Sequence, residues 1–151
     1  MTSVARRNSG HTALIIAVQK KDIGLITVLT RADLKALNVK DKDDYAALHH
    51  CVFVDSELAA SVLLNSGADV NIIGRDGRSP LHSAASNERV GIVKVLLDHS
   101  ANARIKDRNG KAPHELAKKG SYVGQLLKSA QKNKLSRWRS THQVEDDVTS
   151  V

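Results

Sequence analysis

Apolar residues along the chain recur in two kinds of short helical pattern. Leu81, Ala84 and Ala85 form a narrow apolar stripe at helical spacing, and a broader one follows at residues 92–97. Apolar side chains three or four positions apart lie on one face of a helix. The pattern therefore predicts a short helix with a thin buried face, followed by a second helix with a wider one.

The same pattern returns at a nearly constant spacing. Matching segments begin at residues 10, 44, 77 and 110, so the steps are 34, 33 and 33 residues. They are Gly10–Ala17, Asp44–Cys51, Gly77–Ala84 and Gly110–Ala117. A fixed period of this length is the sequence signature of a repeat architecture, in which stacked units bury one continuous core.

Prolines and hydroxyls mark where the first helix of each unit begins. The chain's two prolines, Pro80 and Pro113, occupy equivalent positions, as expected of the first residue of a helix. Thr12 and Ser79 supply hydroxyl caps just before their helices. Ala46 stands at the equivalent position of the second unit, so we expect that helix to begin less firmly.

The glycine–x–threonine–proline–leucine–histidine–x–alanine pattern, clearest in Gly77–Ala84, resembles the signature of the ankyrin repeat. The resemblance implies an all-α repeat solenoid in which each stacked repeat has a β-hairpin finger and two antiparallel helices. His114 and Glu115 depart from the pattern, so the shortened fourth repeat is expected to cap the stack. The expected divisions are an arm at 1–6, repeats at 7–40, 41–73, 74–106 and 107–130, and a basic extension with a disordered acidic tail at 131–151.

Composition limits the class of protein and its location. Only 3% of the residues are aromatic, so we expect a core of Leu, Val, Ile and Ala. No apolar run approaches the roughly 18 residues of a membrane span. Cys51 is the single cysteine, and the first residues lack a secretory pattern. We therefore expect an intracellular monomer, cytoplasmic or nuclear, without an internal disulfide.

Candidate chemistry is sparse. The run His49-His50-Cys51 offers metal-ligand residue types, but neighbouring helical residues point in different directions and no complementary ligand set follows. Cys51 aligns with alanines of the other units, which predicts a small packed side chain. The resemblance implies that His49 and His82 join neighbouring turns through hydrogen bonds. Without a nucleophile–base pair or phosphate loop, we expect no catalytic, cofactor or metal site, hence no enzyme.

The positions that the period leaves free carry the functional hypothesis. In an ankyrin stack, finger tips and inner-helix ends line one concave face, and here those positions combine cations with two aromatic residues. We expect them to bind a protein partner of acidic and some apolar character, as in an adaptor or scaffold. The predicted partner-binding residues are Lys40, Lys42, Tyr45, Phe53, Arg75, Arg78, Lys106, Arg108 and Lys111. The alternatives are a solvated basic surface and, for Phe53, packing against the adjacent inner helix.

The net charge of +7 is unevenly distributed and leaves other functions open. Residues 101–140 hold eleven Lys and Arg against two acids. Nucleic-acid binding through this block is one alternative, disfavoured by the lack of a motif or an aromatic platform. A nuclear regulatory or inhibitory subunit of a transcription factor is another. The final residues Thr149, Ser150 and Val151 resemble a class I PDZ ligand, which would add a strand to the sheet of a PDZ domain.

Overall fold

The computed structural model describes residues 12–133, and within this range the chain forms four successive helix pairs. They are α1 (Ala13–Gln19) with α2 (Ile23–Ala32), α3 (Ala47–Phe53) with α4 (Glu57–Asn65), α5 (Pro80–Ser86) with α6 (Val90–Asp98), and α7 (Pro113–Leu116) with the helical residues 122–133, here α8. Short 3-10 helices span Leu34–Asn38 and Arg75–Gly77.

The helix pairs stack in two layers. The first helices follow one another, with α1 on α3, α3 on α5 and α5 on α7, while α2 contacts α4 and α4 contacts α6. This arrangement is a helical repeat fold, as the periodic sequence predicted. The β-hairpin fingers are not confirmed, because residues 12–133 contain no β-strand and the pairs are joined by turns.

The core lies between the two layers and is aliphatic. Its largest fully buried side chains include Leu48, Leu63, Leu81, Ile92 and Leu96. None of the aromatic residues between positions 12 and 133 is among the buried residues. The scarcity of aromatic residues therefore reflects a core in which small aliphatic helices pack closely.

The caps predicted for the first helices are present. The hydroxyls of Thr12 and Ser79 each accept a hydrogen bond from the backbone N–H three residues on, at 3.2 and 3.4 Å. Ala46 has no such acceptor. Only the reverse bond forms there, since the backbone N–H of Ala46 donates to His49 Nδ1 at 3.2 Å. Helix α3 thus begins with half of the capping arrangement that starts α5.

Helix α7 of the last pair is the shortest α-helix within residues 12–133, with only four residues. Pro113 occupies its first position, and the Glu115 carboxylate accepts a hydrogen bond from the backbone N–H of Ala112 at 2.6 Å. The chain becomes extended at Ala117 and turns at Gly120, whose φ is +77°. The second helix therefore starts earlier than the period would place it.

Candidate protein-interaction face

Three equivalent turns lie ahead of α3, α5 and α7 and bring most of the predicted binding residues together. Turn 1 covers residues 40–45, turn 2 covers 73–78 and turn 3 covers 106–111. Each is closed by a backbone hydrogen bond spanning four residues. The bonds join Asp41 N–H to Tyr45 C=O at 2.8 Å, Gly74 N–H to Arg78 C=O at 2.8 Å, and Asp107 N–H to Lys111 C=O at 2.9 Å.

A left-handed residue occupies the same place in each turn. The φ angles are +67° at Asp44, +70° at Gly77 and +75° at Gly110. Glycine adopts this conformation without steric cost, and aspartate tolerates it better than most residues. The turns therefore share this left-handed position, although turn 2 has a second one at Asp76, whose φ is +60°.

Turns 1 and 3 are held by buried aspartates. Asp41 Oδ1 accepts hydrogen bonds from the backbone N–H groups of Asp43 and Tyr45, at 2.9 and 3.0 Å. Asp107 Oδ1 accepts the same two bonds in turn 3, also at 2.9 and 3.0 Å. Both side chains act as local acceptors that close the turn, as aspartate commonly does.

Turn 2 has Gly74 at the equivalent position because turn 1 occupies the space a side chain would need. A Cβ at Gly74 would lie 2.7 Å from the carbonyl oxygen of Asp44 and 2.9 Å from the ring of His49. Neighbouring turns are therefore in close contact, and this contact excludes any larger residue.

The second carboxylate oxygen of each buried aspartate faces a nitrogen of a basic side chain. His50 Nε2 donates to Asp41 Oδ2 at 2.7 Å, and Arg78 Nε lies 3.5 Å from Asp107 Oδ2. Burial acts to raise the pKa of both carboxyls, but their backbone hydrogen bonds and nearby positive groups outweigh it, so the pKa of each is lowered. Both aspartates are consequently ionised at neutral pH.

His49 and His82 join each first helix to the following turn. The backbone N–H of Ala46 donates to Nδ1 of His49, and that of Ser79 to Nδ1 of His82, so the neutral rings carry their proton on Nε2. Nε2 of His49 then donates to the carbonyl of Arg78 in turn 2 at 3.1 Å. In the same way, Nε2 of His82 donates to the carbonyl of Lys111 in turn 3 at 2.9 Å. Burial lowers the pKa of His49 to about 4 and also lowers the pKa of His82. The linking role implied by the resemblance is confirmed.

Tyr45 and Phe53 form the aromatic part of the surface. Their ring centroids lie 5.0 Å apart with an edge-to-face angle of 83°, and His50 packs edge-on against Phe53 at 5.6 Å. Phe53 remains 38% exposed. The phenyl ring is therefore held in place by two neighbours and still presents apolar area to solvent.

The predicted cations fall into two groups. Three face an acid: Lys40 Nζ is 3.8 Å from Asp44 Oδ1, Arg75 Nη1 is 4.0 Å from Asp43 Oδ1, and Arg78 faces buried Asp107. The others are exposed and form no ion pair with any residue in the range 12–133; they are Lys42, Lys106, Arg108 and Lys111. Arg78 contributes to the structure of the turns, whereas the second group supplies free positive charge.

Comparison with known proteins agrees with this architecture. A family model described as ankyrin repeats (many copies) matches residues 63–117, which include α5, α6 and turns 2 and 3. Residues 63–117 therefore match the ankyrin-repeat family. The chain is 28% identical over 87 residues to the human BCL-6 corepressor-like protein 1. The matched stretch covers 58% of the chain but only 5% of that relative.

Two residues that hold the turns were not predicted from the sequence. The anchoring roles of Asp41 and Asp107 were not predicted, although two aspartates two periods apart, each followed by turn residues, could have indicated them. The contact of His50 with Asp41 carries no comparable sequence pattern. The tail Thr149–Val151 lies outside the described residues.

Cys51 fills a small position in the core, as its alignment with alanines predicted. Cys51 is fully buried, and burial raises the pKa of its thiol to about 12. Between residues 12 and 133, no group of three metal-ligating side chains converges. Over the same range, no helix combines the length and the hydropathy that a membrane crossing requires.

Proposed function

We propose that this protein is a non-enzymatic ankyrin-repeat interaction module that binds a partly acidic protein partner. The proposed binding surface, here the turn face, comprises turns 1–3 and the end of α3. The observation that carries the proposal is the exposed edge of Phe53, held against Tyr45, on a face whose turns also carry exposed cations that form no ion pair within residues 12–133.

The fold supports this assignment through rigidity. Turns 1 and 2 meet closely at Gly74, and the backbone N–H of Arg108 in turn 3 donates to the carbonyl of Asp76 in turn 2 at 3.0 Å. A surface held in this way loses little conformational entropy on binding. We further propose that turns 1–3 take the place of the family's β-hairpin fingers, and that the repeats are 7–40, 41–73, 74–106 and a capping 107–130.

The two kinds of residue on the turn face have different roles. Exposed cations such as Lys42 and Arg75 attract an acidic partner and accelerate association, with a strength that falls as salt is added. Tyr45 and Phe53 provide apolar area for an interface core, where aromatic residues are enriched. Arg78 acts indirectly, because it helps to hold turn 3 through Asp107.

The test compares partner capture by the wild type and by two double variants. Phe53→Ala with Arg75→Glu alters the turn face, while Leu58→Ala with Lys35→Glu removes a side chain from α4 and makes the same charge change elsewhere. Leu58 is 60% exposed, and Lys35 forms no ion pair among the described residues. Captured proteins are quantified by mass spectrometry, and thermal unfolding confirms that all three proteins are folded.

We expect acidic proteins that the wild type and the Leu58/Lys35 control both retain to be lost from the Phe53/Arg75 variant. The reason is that the variant removes the apolar anchor and reverses one charge of turn 2. If no captured protein depends on Phe53 and Arg75, the turn face is not the binding surface. Retention only of nucleic acid, with binding that weakens steeply with salt, would instead favour the nucleic-acid alternative.

A nuclear regulatory role is a second candidate, and the observation favouring it is the similarity to a protein named as corepressor-like. We propose it as a setting for the same interaction rather than as a different mechanism. Microscopy of the tagged full chain, with a reporter gene to which the chain is tethered, tests it. Nuclear accumulation with lowered reporter output is expected, and a chain confined to the cytoplasm would contradict it.

A further inference from the structure

A second group of cations lines a cleft at the last helix pair. The cleft has a volume of about 510 Å³ and lies where α7, α8 and the segment leading into turn 3 meet. Its lining includes Arg104, Lys106, His114, Gln131 and Lys132. Apart from Lys106, none of these residues belongs to the turn face.

Gln131 organises the donors of this cleft. Its side-chain Nε2 donates to the carbonyl of Ala103 at 2.8 Å and lies 3.2 Å from His114 Nδ1. A carbonyl only accepts hydrogen bonds, which fixes the NH₂ group toward Ala103 and makes His114 Nδ1 an acceptor. The neutral His114 ring consequently carries its proton on Nε2. The backbone carbonyl of Gln131 also accepts from Arg104 Nη2 at 3.3 Å, which restrains the guanidinium.

The cleft residues replace side chains that serve stacking in the earlier pairs. At the position of Arg104, one and two periods earlier, stand Asn71 and Asn38. Oδ1 of Asn71 accepts from the backbone N–H of Asn102 at 2.8 Å, and Oδ1 of Asn38 makes the same bond to the next pair at 3.0 Å. His114 likewise stands where Leu81 is buried against the next pair. At the last helix pair, the guanidinium of Arg104 and the imidazole of His114 thus replace the neutral side chains that join the earlier pairs.

Charge in the cleft is one-sided among the described residues. Its one acid, Glu115, already accepts a hydrogen bond from the backbone of Ala112. Lys106 and Lys132 form no ion pair within residues 12–133, and Arg104 is held by a neutral carbonyl. A polar surface that only keeps the end of the stack soluble can carry mixed charges. This lining instead presents hydrogen-bond donors that suit an anion.

We propose that this cleft binds an acidic peptide segment, with carboxylates of the peptide paired to Arg104 and Lys132. The volume exceeds what one small anion fills, since clefts of roughly 300–1,000 Å³ hold ligands of drug size. The donors come from three separate parts of the fold, which spaces the positive charges along the cleft. Arg104 offers a planar fork to one carboxylate, and the lysines act as point charges toward others.

Fluorescence anisotropy of the full chain with a dye-labelled peptide of alternating Glu and Gly tests the proposal. Arg104→Glu with Lys132→Glu reverses the cleft charge. Arg31→Glu with Lys35→Glu is the matched control, because it makes the same exchanges at exposed positions in α2 and in the 3-10 helix that follows it. We expect the cleft variant to bind at least about tenfold more weakly and the control to stay within about twofold, because close charged pairs dominate such binding.

A third variant, Gln131→Ala, separates positioning from charge. It leaves every cation in place but removes the amide that holds His114, so we expect weaker peptide binding at unchanged net charge. Equal weakening in the Arg104/Lys132 variant and the control would show that only total charge matters and would overturn the proposal. Inorganic phosphate or single-stranded DNA that displaces the peptide at lower concentration than unlabelled peptide does would also overturn it. Because this assay uses a defined peptide, its failure leaves the turn face untouched.

Discussion

Lowering the pH from 6.5 to 4 should destabilise the fold, because His49 takes up a proton in the unfolded chain at a higher pH than it does in the folded chain. This ring accepts one hydrogen bond at Nδ1 from Ala46 and donates another at Nε2 to Arg78, which only the neutral imidazole can do together. Burial lowers the pKa of His49 from 6.5 to about 4. The unfolded chain therefore takes up a proton throughout this pH window while the folded chain does not.

The magnitude follows from how far burial lowers the pKa of His49. Because this pKa is lower in the folded state, the contribution of His49 to stability is fully present above about pH 6.5 and lost as the pH falls toward 4. A tenfold difference in proton affinity between the two states corresponds to about 1.4 kcal/mol, so the loss approaches ~3 kcal/mol, a large part of a typical domain's stability of roughly 5–15 kcal/mol. The lowered pKa of Asp41 and Asp107 acts only below about pH 4, since stability from such carboxyls is lost as the pH falls below their unfolded pKa near 3.8.

Urea unfolding at pH 7.5, 6.0, 5.0 and 4.5 measures the effect, with His49→Asn as the comparison. The asparagine keeps an acceptor beside Ala46 but does not titrate. Between pH 6.0 and 4.5 we expect the wild type to lose about 2 kcal/mol more than the variant. An NMR titration of the His49 ring in the folded wild type gives an independent value. Parallel pH profiles for the two proteins, or a His49 pKa near 6.5 in the folded state, would refute the reasoning.

Three further predictions concern the fold. Gly74→Ala should lower the free energy of unfolding by about 1–3 kcal/mol, because its Cβ meets the carbonyl of Asp44 at 2.7 Å. The control is Gly24→Ala in α2, where a Cβ meets no close neighbour, and it should raise the free energy of unfolding by up to about 1 kcal/mol. Equal effects of the two substitutions in urea unfolding would contradict the close contact at Gly74. Ala46→Ser should supply the missing cap of α3 and stabilise by about 1 kcal/mol, and a lower urea midpoint would count against this. Cys51 should react with a thiol reagent only as fast as the chain unfolds, because burial raises its pKa to about 12; rapid labelling of the native protein would disprove this.

The architecture was predictable because its determinants are local and repeated. Helix starts are marked by Pro80, Pro113 and the hydroxyl of Ser79, and the apolar stripes mark the buried faces of the helices. These signals recur in each repeat because the sequence is periodic. Helix stacking then follows from the need to bury both faces. The anchoring of the turns was not predicted, because it depends on hydrogen bonds from backbone groups to Asp41 and Asp107, and the spacing of these two aspartates is the only trace of it in the sequence.

The charges of the candidate surface were harder to predict because they depend on distances between neighbouring turns. Arg78 was counted as a binding cation, yet its guanidinium faces Asp107 in the following turn, 29 residues away. The contact of Phe53 with Tyr45 likewise joins a helix end to a turn. The cleft beside Gln131 has no sequence signature, because its donors come from three segments that meet only in the folded chain.

The hydrogen bonds of the histidines, which join a first helix to the next turn, determine which parts of the molecule unfold most readily. The stability of such a stack is approximately the sum of the stabilities of the repeats and of the interfaces between neighbours. Each histidine bond therefore strengthens the interface between two neighbouring helix pairs. Glu115 replaces the histidine at the next equivalent position and uses its carboxylate within its own helix, so the series of couplings ends there. Amide hydrogen exchange should therefore be fastest at α7 and α8 and slowest at α5, which is coupled on both sides.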